Sequence, residues 1–200
     1  MSKITNLKHI DHGNYVIDKI RYLNYNCVNP NIKKKKYEKT DDDILENEKF
    51  AYSQIIYGKN PIVYITTPKM VCLFGLDKRT NGMCLQFTDY ETDKNMASFH
   101  EFIKTLEFSQ MAYIGLDDES SDLYKSQIRY SDKYDPFLNV KLPFTYNKYD
   151  VEIYHDEFPI SIMNIGNFNK MMCDIYIDKI WKFNGTYICK WKVKKIYVYK

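Results

Sequence analysis

Histidine and cysteine are the residue types in this sequence that could bind a transition metal. His9 and His12 have a spacing that suits a metal on a helix, but Asp11 and Gly13 favour a turn at this point. No two of the five cysteines lie at the spacing of a zinc site. We therefore expect no structural zinc, no other metal and no cofactor.

Recognisable catalytic motifs are missing from the sequence. It contains no nucleophile elbow, no phosphate-binding loop and no dinucleotide-binding glycine pattern. Asp174 and Asp178 share one face of a predicted strand and could bind Mg²⁺ in a nuclease, but no third carboxylate stands at a recognisable spacing. Cysteine–histidine pairings are too numerous to be specific. The sequence predicts no enzymatic activity.

Basic and aromatic residues alternate near the end of the chain, which is a pattern with a chemical use. From 179 to 200 there are seven lysines and no acidic residue, interleaved with Tyr and Trp. Aromatic rings stack on bases for about 1–3 kcal/mol each, with little regard to sequence. Lysines neutralise phosphates, which makes binding salt-dependent. The pattern favours a nucleic-acid-binding sheet surface.

Composition describes an ordinary globular chain. Of its 200 residues 44% are hydrophobic and 28% charged, and the net charge is +3, which alone does not indicate nucleic-acid binding. No apolar run is long enough to predict a transmembrane helix, and the first ten residues lack the apolar segment of a signal peptide. The odd number of cysteines then indicates reduced thiols. We expect an intracellular protein that is not secreted and does not bind membranes.

Strand patterns surround one segment of helical periodicity. Residues 93–115 contain no Gly or Pro before Gly115, and apolar residues recur at helical spacing, which predicts a helix near 95–114. Residues 29–49 are charged and nearly free of apolar residues, which predicts a mobile loop. The predicted strands are 14–25, 62–67, 83–88, 126–130, 138–145, 150–154, 158–163, 172–183 and 186–199.

Two of these strands bear on function. Asn184-Gly185 predicts a tight hairpin at the C-terminal end of the chain. In 138–145, alternation predicts that Val140, Leu142 and Phe144 are buried and that Lys141 faces solvent. The whole pattern predicts a mainly β (α+β) protein, a five-stranded OB-fold barrel with extra strands and one long inserted helix. Residues 1–49 would add an N-terminal strand and the mobile loop to the domain formed by 50–200.

Three blocks of the sequence occur in an order known from one protein family. Residues 60–75 combine a strand with Thr-Pro-Lys-Met and then Phe-Gly, 124–144 contain Ile-Arg, Pro and then Val-Lys-Leu-Pro, and 172–194 end in a hairpin with Trp, Asn and Lys. In this order, with a helix between the first two, they resemble the single-stranded DNA-binding proteins of nucleocytoplasmic large DNA viruses. That family is similar to the OB-fold single-stranded DNA-binding protein of short-tailed phages. The resemblance covers about residues 50–200, and residues 1–49 do not match well.

The resemblance implies a non-enzymatic protein that coats single-stranded DNA during viral replication and recombination. It also implies contacts with viral replication proteins in the host cytoplasm, a viral factory or the host nucleus, and a homodimer is compatible with it. The phage relatives end in an acidic tail that contacts polymerase, whereas this sequence ends in KVKKIYVYK. Either this protein has no such tail or the tail follows the last residue of this sequence, so the resemblance does not carry tail-mediated contacts over.

The expected DNA-binding residues come from two sources. The matching family positions are Lys69, Arg129, Lys141, Trp181, Lys182, Trp191 and Lys192, and the residue pattern adds Tyr130, Lys133, Tyr134 and Lys190. For Trp181 and Trp191, packing in the core is the alternative to stacking on bases. Two other functions stay open, namely a protein-interaction or virion structural β-domain and an RNA- or duplex-binding module.

Overall fold

A computed structural model describes residues 8–23, 26–27, 50–60 and 62–199 of the chain. The predicted charged loop 29–49 lies outside these residues. The described part is mainly β with one long helix, which confirms that part of the predicted fold class. The helix is α1 (Lys94–Ile114). The strands are β1 (Lys8–His9), β2 (Ile20–Tyr22), β3 (Asn26–Cys27), β4 (Phe50–Tyr57), β5 (Val63–Thr66), β6 (Met70–Cys72), β7 (Gly82–Gln86), β8 (Ile128–Arg129), β9 (Phe137–Lys141), β10 (Phe144–Thr145), β11 (Lys148–Tyr149), β12 (Glu152–His155), β13 (Phe158–Pro159), β14 (Asn169–Tyr176), β15 (Lys179–Phe183), β16 (Thr186–Cys189) and β17 (Trp191–Tyr199).

Helix α1 begins and ends where the sequence indicates. The Asp93 carboxylate accepts hydrogen bonds from the backbone N–H groups of Asn95 and Met96, which otherwise have no partner in the first turn. Gly115 ends the helix at a φ of 81°, a left-handed conformation that glycine adopts without strain. The predicted helix is confirmed. None of the helices in the described part of the chain has the length and apolar character that a membrane span needs.

Five strands pair in a closed ring. β6 pairs with β7, β7 with β9, β9 with β17, β17 with β14, and β14 returns to β6. Every pairing in the ring is antiparallel except that of β9 with β17, which is parallel. We number these five strands in chain order, so that β6 is the first, β7 the second, β9 the third, β14 the fourth and β17 the fifth. Around the ring their order is then 1-2-3-5-4, and the fourth strand pairs with the first. β5 lengthens the first strand, because it pairs with β14 just beyond β6.

A second sheet lies beside the ring and holds the predicted hairpin. Its strand order is β16-β15-β4-β2, with β3 paired to β4. β15 and β16 are joined by Asn184 at φ 46° and Gly185 at φ 77°, so both turn residues have the positive φ of a tight hairpin. The hairpin prediction is confirmed. It is an insertion between β14 and β17, so it projects from the ring at their connection.

Inward-facing residues of the strands fill the core of the ring. The prediction that Phe144 belongs to this core is wrong. Val140 and Leu142 are 3% and 0% exposed, as predicted. Phe144 is 41% exposed, because β9 ends at Lys141 and alternation does not continue through Pro143. Phe144 instead lies on the short β10–β11 hairpin, where the centroid of its ring lies 4.7 Å from that of Tyr149.

The predicted strand over 14–25 is also largely wrong. Short 3₁₀ helices cover His12–Asn14 and Ile17–Lys19, and the strand β2 spans only Ile20–Tyr22. The strand predicted at 126–130 is reduced to β8, and the one at 158–163 to β13 followed by a 3₁₀ turn. β-Branched and aromatic residues occur in each segment, but such propensity is weak without a partner strand.

Leu142 and Phe144 give a direct test of these two environments. Leu142→Ala should lower the free energy of unfolding by about 2–5 kcal/mol, the usual cost of emptying a buried leucine site. Phe144→Ala should change it by about 1 kcal/mol or less, since exposed positions tolerate truncation. Chemical denaturation measures both, and an equal loss in the two variants would contradict the assigned facing.

Candidate nucleic-acid interface

A groove of about 750 Å³ crosses the outer surface of β7 and β9. One wall is the loop between β6 and β7, which contributes Phe74, Arg79 and Thr80. The floor is formed by outward residues of the two strands, and the other wall by Arg129, Ile188 and Lys190. The groove therefore combines residues from four distant parts of the sequence. We refer to it as the barrel groove.

Four cationic side chains line the barrel groove, and three of them were predicted from the sequence. These three are Arg129, Lys141 and Lys190, and the fourth is Arg79. Burial lowers the pKa of Lys141, and the positive charge of Lys190 lowers it further. Two lysines are thus close enough to repel each other. An anion that lies between or beside the two ammonium groups is attracted by both and relieves their repulsion.

Hydrogen bonds fix the loop between β6 and β7, which forms one wall of the barrel groove. The Lys141 ammonium donates to the backbone carbonyl of Thr80. The Asp77 carboxylate accepts hydrogen bonds from the backbone N–H of Arg79 at 2.9 Å and from the Thr80 hydroxyl at 2.9 Å. Hydrogen bonds from Arg79 and Thr80 hold the pKa of Asp77 below its usual range. Among the residues that the structure describes, Asp77 is the one carboxylate in the lining, and its charge is already engaged within the loop.

A second depression continues the barrel groove. It has a volume of about 380 Å³ and shares Ile188 and Lys190 with the barrel groove, so the two form one continuous surface. It adds the cations Lys125 and Lys182, of which Lys182 was predicted. We call it the hairpin groove, because β15 and β16 form most of its lining. No acidic residue lines it in the described part of the chain.

Aromatic rings line the hairpin groove. Trp181 is half-buried against Tyr52, with ring centroids 5.1 Å apart, so one part of its ring packs and the rest faces the groove. The Lys179 ammonium lies 4.2 Å from the Tyr52 ring centroid, which fixes that pair further. Phe183 is 48% exposed and packs edge-on against Phe50. Rings held in this way lose little conformational freedom when a base stacks on them.

Two of the predicted residues make structural contacts. Trp191 is 3% exposed and lies inside the ring of strands near Phe102, so it is not available for stacking on a base. The packing alternative was therefore correct for Trp191. Lys192 is half-buried and its ammonium lies 2.6 Å from a carboxylate oxygen of Asp178. This ion pair fixes the chain where the hairpin leaves β14.

The remaining predicted residues lie outside both grooves. Lys69 is exposed, and its ammonium lies 4.0 Å from the ring centroid of Tyr199 on another side of the barrel. Tyr130 is 61% exposed beside α1, where its hydroxyl is 3.1 Å from His100 Nε2. Lys133 and Tyr134 are exposed in the loop that precedes β9. The structure does not bring these four together with the groove residues.

Sequence reasoning missed several residues of the two grooves. Phe74 is 67% exposed two residues after β6, in the Phe-Gly of the sequence block 60–75. Arg79 follows on the same loop, and Lys125 precedes β8. Phe74 and Lys125 lie within the first two blocks that carry the resemblance and Arg79 lies just after the first, but no periodicity applies in a loop. Their meeting depends on pairings that the sequence does not reveal.

The acidic pair considered for Mg²⁺ is engaged in other contacts. Asp178 pairs with Lys192, and Asp174 accepts a hydrogen bond from Thr66 at 2.7 Å. Within the described ranges, no three side chains of His, Cys, Asp or Glu converge on one point. These carboxylates thus do not form a nuclease-like cluster.

No protein-family model matches the chain, and no curated protein matches it significantly.

Cys84 offers a chemical probe of the barrel groove. It lines the groove, whereas the side chains of Cys72, Cys173 and Cys189 are buried. We therefore expect iodoacetamide to modify Cys84 before those three. Burial raises the pKa of the Cys84 thiol, and the charge of Asp77 raises it further. Since the thiolate reacts, alkylation near pH 8 should be slower than for a free thiol of pKa about 8.5.

Peptide mapping by mass spectrometry over a series of pH values measures this order and rate. Asp77→Asn should accelerate the alkylation of Cys84, because it removes the repulsion of the thiolate. Faster alkylation of buried Cys72 than of Cys84 would show that the groove floor is not where the structure has it.

Proposed function

We propose that the protein binds single-stranded DNA without catalysing a reaction, along the barrel groove and the hairpin groove. The supporting observation is the continuous surface formed by these grooves, with six cationic side chains and aromatic rings along its length. Cations neutralise phosphates, and rings stack on bases. A strand of alternating phosphates and bases fits both properties at once.

The ring of strands supports an OB-fold assignment, which is part of this proposal. Its order, with a parallel pairing between the third and fifth strands, suits a five-stranded Greek-key barrel. OB-folds bind oligonucleotides on the surface of the second and third strands, between the loop joining strands one and two and the loop joining strands four and five. Here these are β7 and β9, the loop with Arg79, and the insertion with Lys190.

Exposed rings favour a single strand over a duplex. Phe74 and Phe183 present their rings at the surface of the grooves, and Trp181 presents part of its ring. In a duplex the bases stack on each other and cannot stack on a side chain without being extruded. Because stacking accepts any base, we expect weak sequence preference.

The family resemblance supplies the biological setting of the proposal. Coating and protecting single strands during viral replication and recombination would need such sequence-tolerant binding. It would also bring the protein together with viral replication proteins inside the host cell. An RNA- or duplex-binding module and a virion structural domain are the alternatives, and competition experiments distinguish them.

Salt dependence tests the role of the cations. Fluorescence anisotropy with oligo-dT should give a steep fall of log affinity with log salt, because phosphate neutralisation releases counterions. Lys190→Ala and Lys141→Ala should each weaken binding and reduce that slope by about one. Lys59→Ala is the matched control, since it removes one exposed charge outside both grooves and should leave the slope unchanged.

Duplex and RNA competitors complete this experiment. Displacement of oligo-dT by duplex DNA or RNA at equal concentration would contradict the proposed preference. A slope unaffected by both groove variants would show that the strand binds elsewhere on the protein.

Two phenylalanines of equal exposure test stacking. Phe74 and Phe108 are both 67% exposed, but Phe74 lies in the barrel groove and Phe108 on α1. Phe74→Ala should reduce oligo-dT affinity by about 1–3 kcal/mol and leave the salt slope unchanged. Phe108→Ala should have no effect on binding. Equal behaviour of the two variants would remove Phe74 from the binding surface.

A further inference from the structure

A shallow pocket of about 380 Å³ lies on the other side of the barrel from the barrel groove. Its lining comes from β1, from β5, which lengthens the first strand of the ring, and from β14 and β17, the fourth and fifth strands. The barrel groove uses the second and third strands. The proposed DNA-binding grooves do not include this pocket.

Three tyrosines form the walls of the pocket. Tyr64, Tyr197 and Tyr199 are all half-buried, so their rings are fixed at the edges and open toward the pocket. Tyr197 also stacks against Tyr154 on β12, with centroids 6.0 Å apart and planes inclined by 21°. The His9 ring lies 5.1 Å from Tyr64. A flat aromatic ligand would find ring surfaces on several sides.

A buried carboxylate lies in the lining of the pocket. Asp174 is 4% exposed and accepts hydrogen bonds from the Thr66 hydroxyl at 2.7 Å and the Tyr197 hydroxyl at 3.5 Å. Because the Thr66 hydroxyl donates to Asp174, its oxygen accepts from His9 Nε2, which is 2.9 Å away. This chain of bonds fixes the carboxylate in position.

Asp174 retains unused capacity to accept hydrogen bonds. A carboxylate offers about four acceptor sites, and two are occupied. Among the described residues no lysine, arginine or histidine lies within ion-pair distance of it. A ligand with N–H donors would stabilise a buried carboxylate of this kind by hydrogen bonding to it.

The rim of the pocket is basic. Lys69 lies over the ring of Tyr199, and Lys170 is the cross-strand neighbour of Tyr199. Lys195 is opposite Asp174 in the β14–β17 register, and its ammonium lies 3.1 Å from Glu152. Lys69 and Lys170 are exposed and available to an anion. A ligand with a negative group outside and a flat N–H-bearing ring inside fits this arrangement.

We infer that this pocket binds a nucleotide, with the base between the tyrosines, N–H groups of the base donating to Asp174 and the phosphate on Lys69 and Lys170. Guanine fits best, because its N1–H and amino group are adjacent donors that can both bond to one carboxylate. Thymine offers a single N–H between two carbonyl oxygens, which the carboxylate repels. The nucleotide could be free or part of a strand, and the experiment separates these sources.

Calorimetric titration of the whole chain with dGMP, dTMP and inorganic phosphate tests the inference. We expect dGMP to bind about tenfold or more tightly than dTMP or phosphate, because guanine makes two hydrogen bonds that thymine cannot make and phosphate also lacks a ring for stacking. Asp174→Asn should abolish the preference for dGMP. Tyr197→Ala should weaken both nucleotides, and Tyr197→Phe should retain most stacking. Equal binding of dGMP, dTMP and phosphate would overturn the inference.

Two further arms keep the result decisive. If Asp174→Asn melts early, loss of dGMP binding in Tyr197→Ala with an unchanged melt still supports the pocket, and retention of binding overturns it. If the bound nucleotide is part of a strand, an oligo-dT strand with one central dG should bind more tightly than all-dT. If dGMP binds tightly but the central dG does not strengthen binding of the strand, the ligand is a free nucleotide. Lys190→Ala should not affect dGMP, which separates this pocket from the grooves.

Discussion

The parallel pairing of β9 with β17 is the contact on which the remaining arrangement depends. It joins Trp191 to Val140 and Lys192 to Lys141 in register, and it closes the ring of five strands. The pairing positions Lys190, the residue before β17, beside Lys141 at the end of β9. Burial of Trp191 and Val140, both 3% exposed, stabilises the closure by removing apolar surface from water. The fold thus holds two like charges together.

Charge is concentrated on the outside of the same strands that are apolar on the inside. On β7 and β9 the residues alternate, so every buried residue is followed by one that is partly exposed. On β7 and β9 the outward residues form the floor of the barrel groove. The inserted hairpin extends this surface, and the Lys192–Asp178 ion pair fixes it to the barrel. A rigid surface of this kind can bind a flexible strand without ordering itself first.

Local patterns predicted the helix, the hairpin and the outward position of charged residues. Asp93, Gly115 and Asn184-Gly185 act locally, Asp93 through its carboxylate and the others through their backbone conformation, so their effects are visible in the sequence. Phe144 and Trp191 were assigned by patterns that depend on distant partners. Alternation ended at Pro143, and the choice between core and surface for Trp191 depended on the closure with β9. Loop residues such as Arg79 have no periodic signal at all.

Hydrogen-exchange mass spectrometry with saturating oligo-dT tests the proposed interface most directly. Because the strand would cover the barrel and hairpin grooves, protection should appear in peptides from 73–86, 137–141 and 179–190. Peptides from 152–168 should exchange as in the free protein. Protection restricted to 152–168, or the same pattern produced by duplex DNA, would contradict the proposed single-strand groove.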